Sequence, residues 1–504
     1  KKTGIVAGLM LALYPTAIFF DCLIQKAVLS MFFTTLSLLL IAGSVDRPAW
    51  GRWMALGITL GLMALTRENA MIFILLVFIW MVIYFKREPK RNVLLWAAMY
   101  GLGLAIVFLP VSLRNYVVGG DCAITTSQLG TNLYIGNNIN ATGTYAPLRW
   151  NRGDWRFERK DATELAEKEA GRTLSPSEVS HFWTIKTLNY VRTHPGHWIG
   201  LMAKKWHMTW NATEMSDSES QYAHYEYSVI LKILGLLFHF GILCSLAFFG
   251  FFMTWSDRGR LWLLYLMMTG YAAGVALFYV FARYRYPMIA FLILFAAAGV
   301  TEALWSIRQR SFKKVALCAI LTIPLALFVN WEIRPKNVFA APTFFNVGYS
   351  LEKEGKTAEA VNYYRKSLAL YPENSKPHVN LGIIAANRGE IVEAVEHFEK
   401  ALAIMPGNPD AQYNLGVVMA MKGRPDEALY WFHKVLTACP EYGPEIYYNA
   451  ACMYALKQDS EASIEMLKKA LDRGYDNWAL LKTDKDLDSI RKSPYYRELM
   501  ARMK

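Results

Sequence analysis

Residues 342–475 repeat themselves every 34 positions, and a fixed period of that length constrains a fold more than any other feature of this chain. Gly348, Gly382 and Gly416 are 34 apart, as are Ala360, Ala394, Ala428 and Ala462, and Pro372, Pro406 and Pro440. One unit of this size cannot bury its own apolar face, so successive units must stack with a continuous core between neighbours. Tyr364, Phe398 and Phe432 read as that core. From Asp484 to Met503 the period is lost, and this polar stretch reads as the capping helix that repeat arrays need for solubility.

Gly at one crossing, Ala at the next and Pro at the exit make the repeat similar to the tetratricopeptide repeat (TPR), a pair of antiparallel helices. The resemblance implies an α-solenoid of about four helix pairs over 340–477, capped by 478–504. Such a surface holds a protein or peptide rather than doing chemistry. Asn346, Asn380 and Asn414 each precede a repeat glycine by two residues, and Asn449 fits the same slot of the fourth repeat. A column of carboxamides in a concave groove can hydrogen-bond an extended peptide backbone whatever its side chains. It is similar to the asparagine ladder of the soluble O-GlcNAc transferase. Asn as plain repeat consensus is the simpler alternative.

Upstream of the repeats the chain is apolar. The whole is 54% hydrophobic, too much for a soluble enzyme of 504 residues. From residue 342 onward, 21 Lys and Arg face 22 Asp and Glu, so the +13 net charge leaves about +14 for the first 341 residues. That excess sits in short loops and is no nucleic-acid signature. Apolar stretches of spanning length occur near 4–20, 27–43, 53–66, 70–85, 93–111, 229–254, 261–281, 286–305 and 315–331. Lys1 and Lys2, Arg47 and Arg52, Lys86–Arg91, Arg258 and Arg260, and Arg308–Lys314 fall in alternate loops, which the positive-inside rule sets in the cytoplasm. The other loops, the long 112–228 segment and the repeats are then extracytoplasmic. The expected architecture is mainly α: a polytopic transmembrane helix bundle over 1–335 followed by the solenoid. The six cysteines lack metal spacing, and Cys439 and Cys452 read as a chance pair of buried thiols between repeats.

The outer loops collect unusual residues. Asp21 and Lys26 close an apolar hop, Arg67-Glu68-Asn69 interrupts two apolar spans, Arg114-Asn115 ends one helix, and Arg283-Tyr284-Arg285-Tyr286-Pro287 opens another. Charge at membrane depth marks a polar cavity or a partner, and several Arg on one face grip a phosphate well. Anchoring at the headgroups competes with that reading for each residue taken singly. In the long segment, Asn132, Tyr134, Asn137 and Asn138 lie in a Gly-, Asn- and Thr-rich run with the amide and hydroxyl groups that hold sugar hydroxyls, or that simply make turns. A helix starts at Ser175-Pro176-Ser177-Glu178. The stretch His194–Trp210, with Trp198, Trp206, Trp210 and Lys204-Lys205, reads as amphipathic and fit for a membrane surface. His181, His194, His197 and His207 lack one-face metal spacing, so no metal site is expected.

In this order, Tyr14-Pro15…Asp21…Lys26, Leu65-Thr66-Arg67-Glu68-Asn69, Leu109-Pro110…Arg114-Asn115-Tyr116, Asn132–Asn138, His194-Pro195-Gly196 and Arg283–Pro287 resemble bacterial glycosyltransferase family 39-like membrane proteins of the GT-C fold. Relatives are the protein O-mannosyltransferases and the lipid A aminoarabinose transferase. The resemblance implies inverting sugar transfer from a polyprenyl-phosphate donor on the extracytoplasmic face, in a bacterial inner membrane, with a divalent cation as an open question. It also implies a principal catalytic acid in the first outer loop, which the motif order sets upstream of Lys1; the chain reads as N-terminally truncated. Within it, Asp21 and Glu68 are weak candidates for the base, and Glu68 doubles as an ion-pair partner of Arg67. Lys26, Arg67, Arg114, Arg283 and Arg285 are the expected phosphate-binding residues. The alternative is a non-catalytic membrane-anchored TPR scaffold for an envelope assembly. Transport of a lipid-linked sugar is a third reading, but the internal symmetry that transporters show is missing.

Overall fold

The computed structural model describes residues 1–121, 123–149, 155–217, 219–333 and 335–501; Cys122 lies outside them. These residues are mainly helical, with no strand among them. They form two compact units, Lys1–Phe339 and Ala340–Lys504.

In the first unit, six helices are long and apolar enough to cross a membrane, and a seventh follows if the bent pair Lys2–Ala12 and Pro15–Asp21 counts as one. Nine stretches are expected from the sequence, and the difference has local causes. Pro15 starts its own helix at N1, where it lacks no needed N–H, and the pair bends by 60°. Trp50–Thr66 has 17 residues, and the next apolar helix, Glu68–Tyr84, is also short because Arg67 adopts extended backbone between them. The surface of this unit is apolar: Leu94, Leu109, Leu113, Ile320 and Leu327 are all exposed. Its interior takes small and hydroxylated residues, including Ser30, Thr34, Ser37 and Thr59. Backbones meet where glycines allow it. A Cβ at Gly57 would lie 2.2 Å from the Tyr100 carbonyl oxygen, and one at Gly103 2.2 Å from that of Met54. Close backbone contact through small residues is how helices associate without a hydrophobic drive between them.

Between Gly119 and Val229 the chain is polar and locally folded. Leu129–Gly136 is a helix rather than a run of turns, and Gly130 is there for packing, since a Cβ would meet the Ser180 carbonyl oxygen at 1.8 Å. Pro176–Thr193 starts where expected, and with a capping box, Ser175 accepting from the Glu178 amide while Glu178 accepts from that of Ser175. Pro195–Trp210 is helical, with Ile199, Lys204 and Trp206 exposed and the opposite face packed inward. Lys205, Met208 and Trp210 are buried, and Lys205 Nζ donates to the carbonyls of Gly136 (3.0 Å), Leu277 (3.2 Å) and Phe278 (3.0 Å) and to Asn137 Oδ1 (2.9 Å). The last carbonyls of two helices thus converge on one ammonium, where orphan acceptors and the helix dipoles favour a cation. Burial alone pulls this amine down to about 7.

The second unit is a stack of four helix pairs: Ala341–Lys353 with Thr357–Leu370, Ser375–Asn387 with Ile391–Ile404, Pro409–Met421 with Pro425–Ala438, and Pro444–Leu456 with Ser460–Asp472. A Cβ at Gly382 would lie 2.6 Å from the Phe398 ring, and one at Gly416 2.6 Å from the Phe432 ring. The period breaks once. One extra residue in the turn before Pro444 shifts the fourth pair, so that Ser463, fully buried, takes the slot that Ala428 holds, and Ala462 only flanks it. Ala451 and Leu467 likewise replace Gly416 and Phe432. Cys439 and Cys452 are free thiols. The cap is two short helices, Trp478–Thr483 and Pro494–Ala501, rather than one; Leu481, Leu487 and Ile490 close the core while the outer side stays polar.

Candidate functional site

The site is built where three chain segments are tied together by backbone. The residues after Leu277 cannot continue their helix, because Phe278 leaves helical backbone and Pro287 starts the next. In between, the Val280 amide donates to the Gly143 carbonyl (2.9 Å) and the Ala282 amide to that of Met215 (2.8 Å). This threading sets Arg283 beside Asp217, with Nη2 and Oδ2 2.5 Å apart and each side chain about a third exposed.

Arg67 and Arg283 lie on the same Tyr284 ring, their guanidinium carbons 4.7 Å and 5.1 Å from its centre. Both Nε atoms are buried with no hydrogen-bond partner among the described residues. Two neighbouring guanidinia repel, and buried donors without acceptors are costly. Such a pair can receive an anion. Tyr279, whose hydroxyl donates to Asn132 Oδ1 (3.2 Å), packs against Tyr284 and Tyr145. Glu158 faces the same guanidinium; burial pushes its carboxyl up, Arg283 pulls it back, and Asp217 adds to the rise. Burial likewise raises the Tyr145 phenol, helped by Glu158 and Asp217.

The other expected phosphate ligands lie elsewhere. Arg285 is fully buried, and every guanidinium nitrogen donates inside the protein. Its Nη2 meets Glu214 Oε2 at 2.8 Å and the Thr213 carbonyl at 2.8 Å, Nη1 reaches Asn211 O at 2.6 Å, and Phe240 covers the face at 3.8 Å. Arg285 therefore pins the 208–214 backbone and has no donor left for a ligand. Arg114 lines a separate open cleft with Arg159, Asp121 and Gln128. Lys26 is exposed at the start of its helix. Neither weak acid candidate reaches the arginine pair. Glu68 accepts from Thr126 Oγ1, not from Arg67, and Asp21 is exposed beside Tyr286 in an apolar groove. Of the residues expected to hold sugar, Asn137 is buried between Leu133 O, Leu277 O, Trp198 and Lys205, and Asn138 caps its own helix end. Both are structural. Tyr134 packs on Trp183.

Sequence reading passed over Asp217, Glu158 and Tyr145. One signal was available: Glu214, Asp217 and Glu219 put three acids within six residues. A narrow cleft of about 20 Å³ opens there, lined by Thr16, Gln25, Glu214, Asp217, Glu219 and Arg283 among others. Among the described residues no group of three His, Cys, Asp or Glu side chains is arranged to hold a metal ion.

In the solenoid, the groove asparagines are engaged one by one. Nδ2 of Asn380 donates to the Tyr364 hydroxyl (2.8 Å), that of Asn414 to the Asp410 carbonyl (2.7 Å), and that of Asn449 to the Tyr413 hydroxyl (2.9 Å). Asn346 is exposed.

Residues 341–374, 406–443 and 444–473 match the tetratricopeptide repeat, so the second unit carries TPRs. Residues 360–419 also match the Est1 DNA/RNA binding domain. The chain is similar to MamA 41-end from Desulfovibrio magneticus RS-1 (24% identity, 32% of this chain and 89% of that one, TM-score 0.28). It is similar to YrrB, described as a TPR protein with an unusual peptide-binding site (24% identity, 37% and 90%, TM-score 0.26). Pseudomonas aeruginosa PilF is 17% identical over 40% of this chain and 95% of its own, with a TM-score of 0.27. No curated protein matches.

Proposed function

We propose that the first unit is a membrane-embedded, GT-C-like glycosyltransferase that takes a sugar from a polyprenyl-phosphate donor on the extracytoplasmic face. The second unit then brings a protein acceptor or partner to it. The observation that carries the reading is the pair Arg67 and Arg283 on Tyr284, with buried and unsatisfied Nε donors. Leaving-group phosphate oxygens need charge-bearing donors fixed in place before the reaction. Arg285 is not part of the grip; it holds the floor beneath it. For the solenoid, Asn380, Asn414 and Asn449 commit Nδ2 inward and keep Oδ1 to accept from a peptide amide. A protein suits this unit better than a nucleic acid. The stretch resembling the Est1 domain holds five Lys and Arg against six Asp and Glu, too few positive charges for a phosphate backbone.

The scaffold alternative draws on a specific observation too, since the family matches fall only on the TPRs. One experiment separates the readings. The full chain in nanodiscs is offered a polyprenyl-phosphate sugar, beside Arg67→Ala and Arg283→Ala. The enzyme reading expects transfer by the parent and a loss of at least about a hundredfold in either variant, with insertion and melting unchanged. Equal transfer by all three keeps the enzyme but takes the arginine pair out of its site; no transfer by the parent leaves the scaffold.

A further inference from the structure

Resting on that reading, we infer that Asp217 is a built-in stand-in for the donor phosphate: its carboxylate occupies the Arg283 side of the anion seat when the seat is empty and is displaced when phosphate binds. The geometry has three parts. Among the described residues Asp217 is the acid paired with the arginine pair, at 2.5 Å from Arg283, while the buried Nε of Arg67 beside it has no hydrogen-bond partner there. The seat is thus half filled, by one carboxylate where a phosphate would present several oxygens to both guanidinia. The ion pair is also partly exposed on both sides, so it exchanges at low cost, unlike the buried Arg285–Glu214 pair 2.8 Å across.

Displacement has a direction. Asp217 lines the cleft shared with Thr16, Gln25 and Gln221, where Glu214 is held by Arg285 and Glu219 pairs with His224. Once released, Asp217 is the carboxylate of that cleft without a cation. It can then accept from a hydroxyl or ammonium group of an acceptor. Donor binding would in this way open the acceptor's seat, and an acceptor would not hold tightly before the donor. Next to it the Ala282 amide donates to Met215 O and Ser216 Oγ to the Phe339 carbonyl.

The test is binding, which needs no turnover. The full chain in nanodiscs is titrated with a long-chain polyprenyl phosphate, with the uncharged polyprenol as control. Asp217→Asn removes the competing charge and should bind the phosphate about fivefold more tightly than the parent, with polyprenol unchanged. Asp217→Glu should stay within about twofold of the parent. Backbone hydrogen exchange over 213–221 should rise in the parent on adding the phosphate and be high already in Asp217→Asn. Equal or weaker phosphate binding by Asp217→Asn at parental melting temperature overturns the inference; a melting temperature that has fallen shifts the decision to the parent's exchange, where no rise overturns it. A parent that binds polyprenyl phosphate no better than polyprenol instead defeats the functional reading beneath it.

Discussion

Two arginines two positions apart in the sequence do opposite work, and the difference lies wholly in their partners. Arg283 is about a third exposed, touches Asp217 and keeps a free Nε; Arg285 is sealed between Glu214, four backbone carbonyls and the Phe240 ring. Removing one partner of a buried pair strands the other charge. Arg285→Gln should therefore destabilise the first unit by about 3–5 kcal/mol, seen as a large fall in its melting temperature. Arg283→Gln should move it by less than about 1 kcal/mol, as for other exposed ion pairs. Equal losses would mean that Arg283 is structural as well. This contrast also marks the limit of what the residues reveal by themselves. Arg-Tyr-Arg at a helix entrance tells that one face is charged, but a helix turns about 100° per residue, so alternate arginines point apart and only tertiary partners say which is sealed. Asn137 and Lys205 were hidden for the same reason, since an amide or an ammonium that satisfies helix ends looks, in sequence, like one that awaits a ligand.

At the scale of elements, the helix pairs were legible because their contacts are local and repeated. Gly382 and Gly416 sit against Phe398 and Phe432 sixteen residues later in the same unit, so the period displays the packing directly. The one-residue insertion before Pro444 was not legible, because Ala462 keeps the 34-residue spacing by coincidence while Ser463 fills the slot. The fourth pair shows how the crossing can be rebuilt: Ala451 with Leu467, both buried, in place of Gly416 with Phe432. A Cβ needs a ring to move away, and here the ring is gone. Gly416→Ala alone should thus lower the solenoid's stability by about 1–3 kcal/mol through overpacking. Adding Phe432→Leu should recover part of that loss rather than deepen it, and denaturant unfolding of both single variants and the double gives the coupling. A double variant no more stable than the sum of the single losses would show that the two positions do not share one packing constraint.

For the whole molecule, the question is which side of a membrane each part faces, and the first unit supplies an argument that charge counting alone does not. The last apolar helix, Phe312–Asn330, ends against the long polar segment: the Ala212 amide donates to the Val329 carbonyl at 2.7 Å, and Asn211 Nδ2 to that of Trp331 at 2.7 Å. The Arg67, Tyr284 and Arg283 cluster lies on this same segment through Met215 and Asp217. So the helix that leads to the TPRs ends at the same end of the first unit as the arginine pair. The basic loops, Lys86–Arg91 and Arg308–Lys314, lie one helix length away. On a background without native cysteines, Ser177→Cys and Lys492→Cys should react with a membrane-impermeant maleimide on intact cells. Ser311→Cys should react only after the cells are opened. If Lys492→Cys behaves like Ser311→Cys, the solenoid and the arginine pair face different compartments. A protein held by the repeats could not then meet a donor held by the arginines, and the recruiting role would fall even if both units bind their ligands.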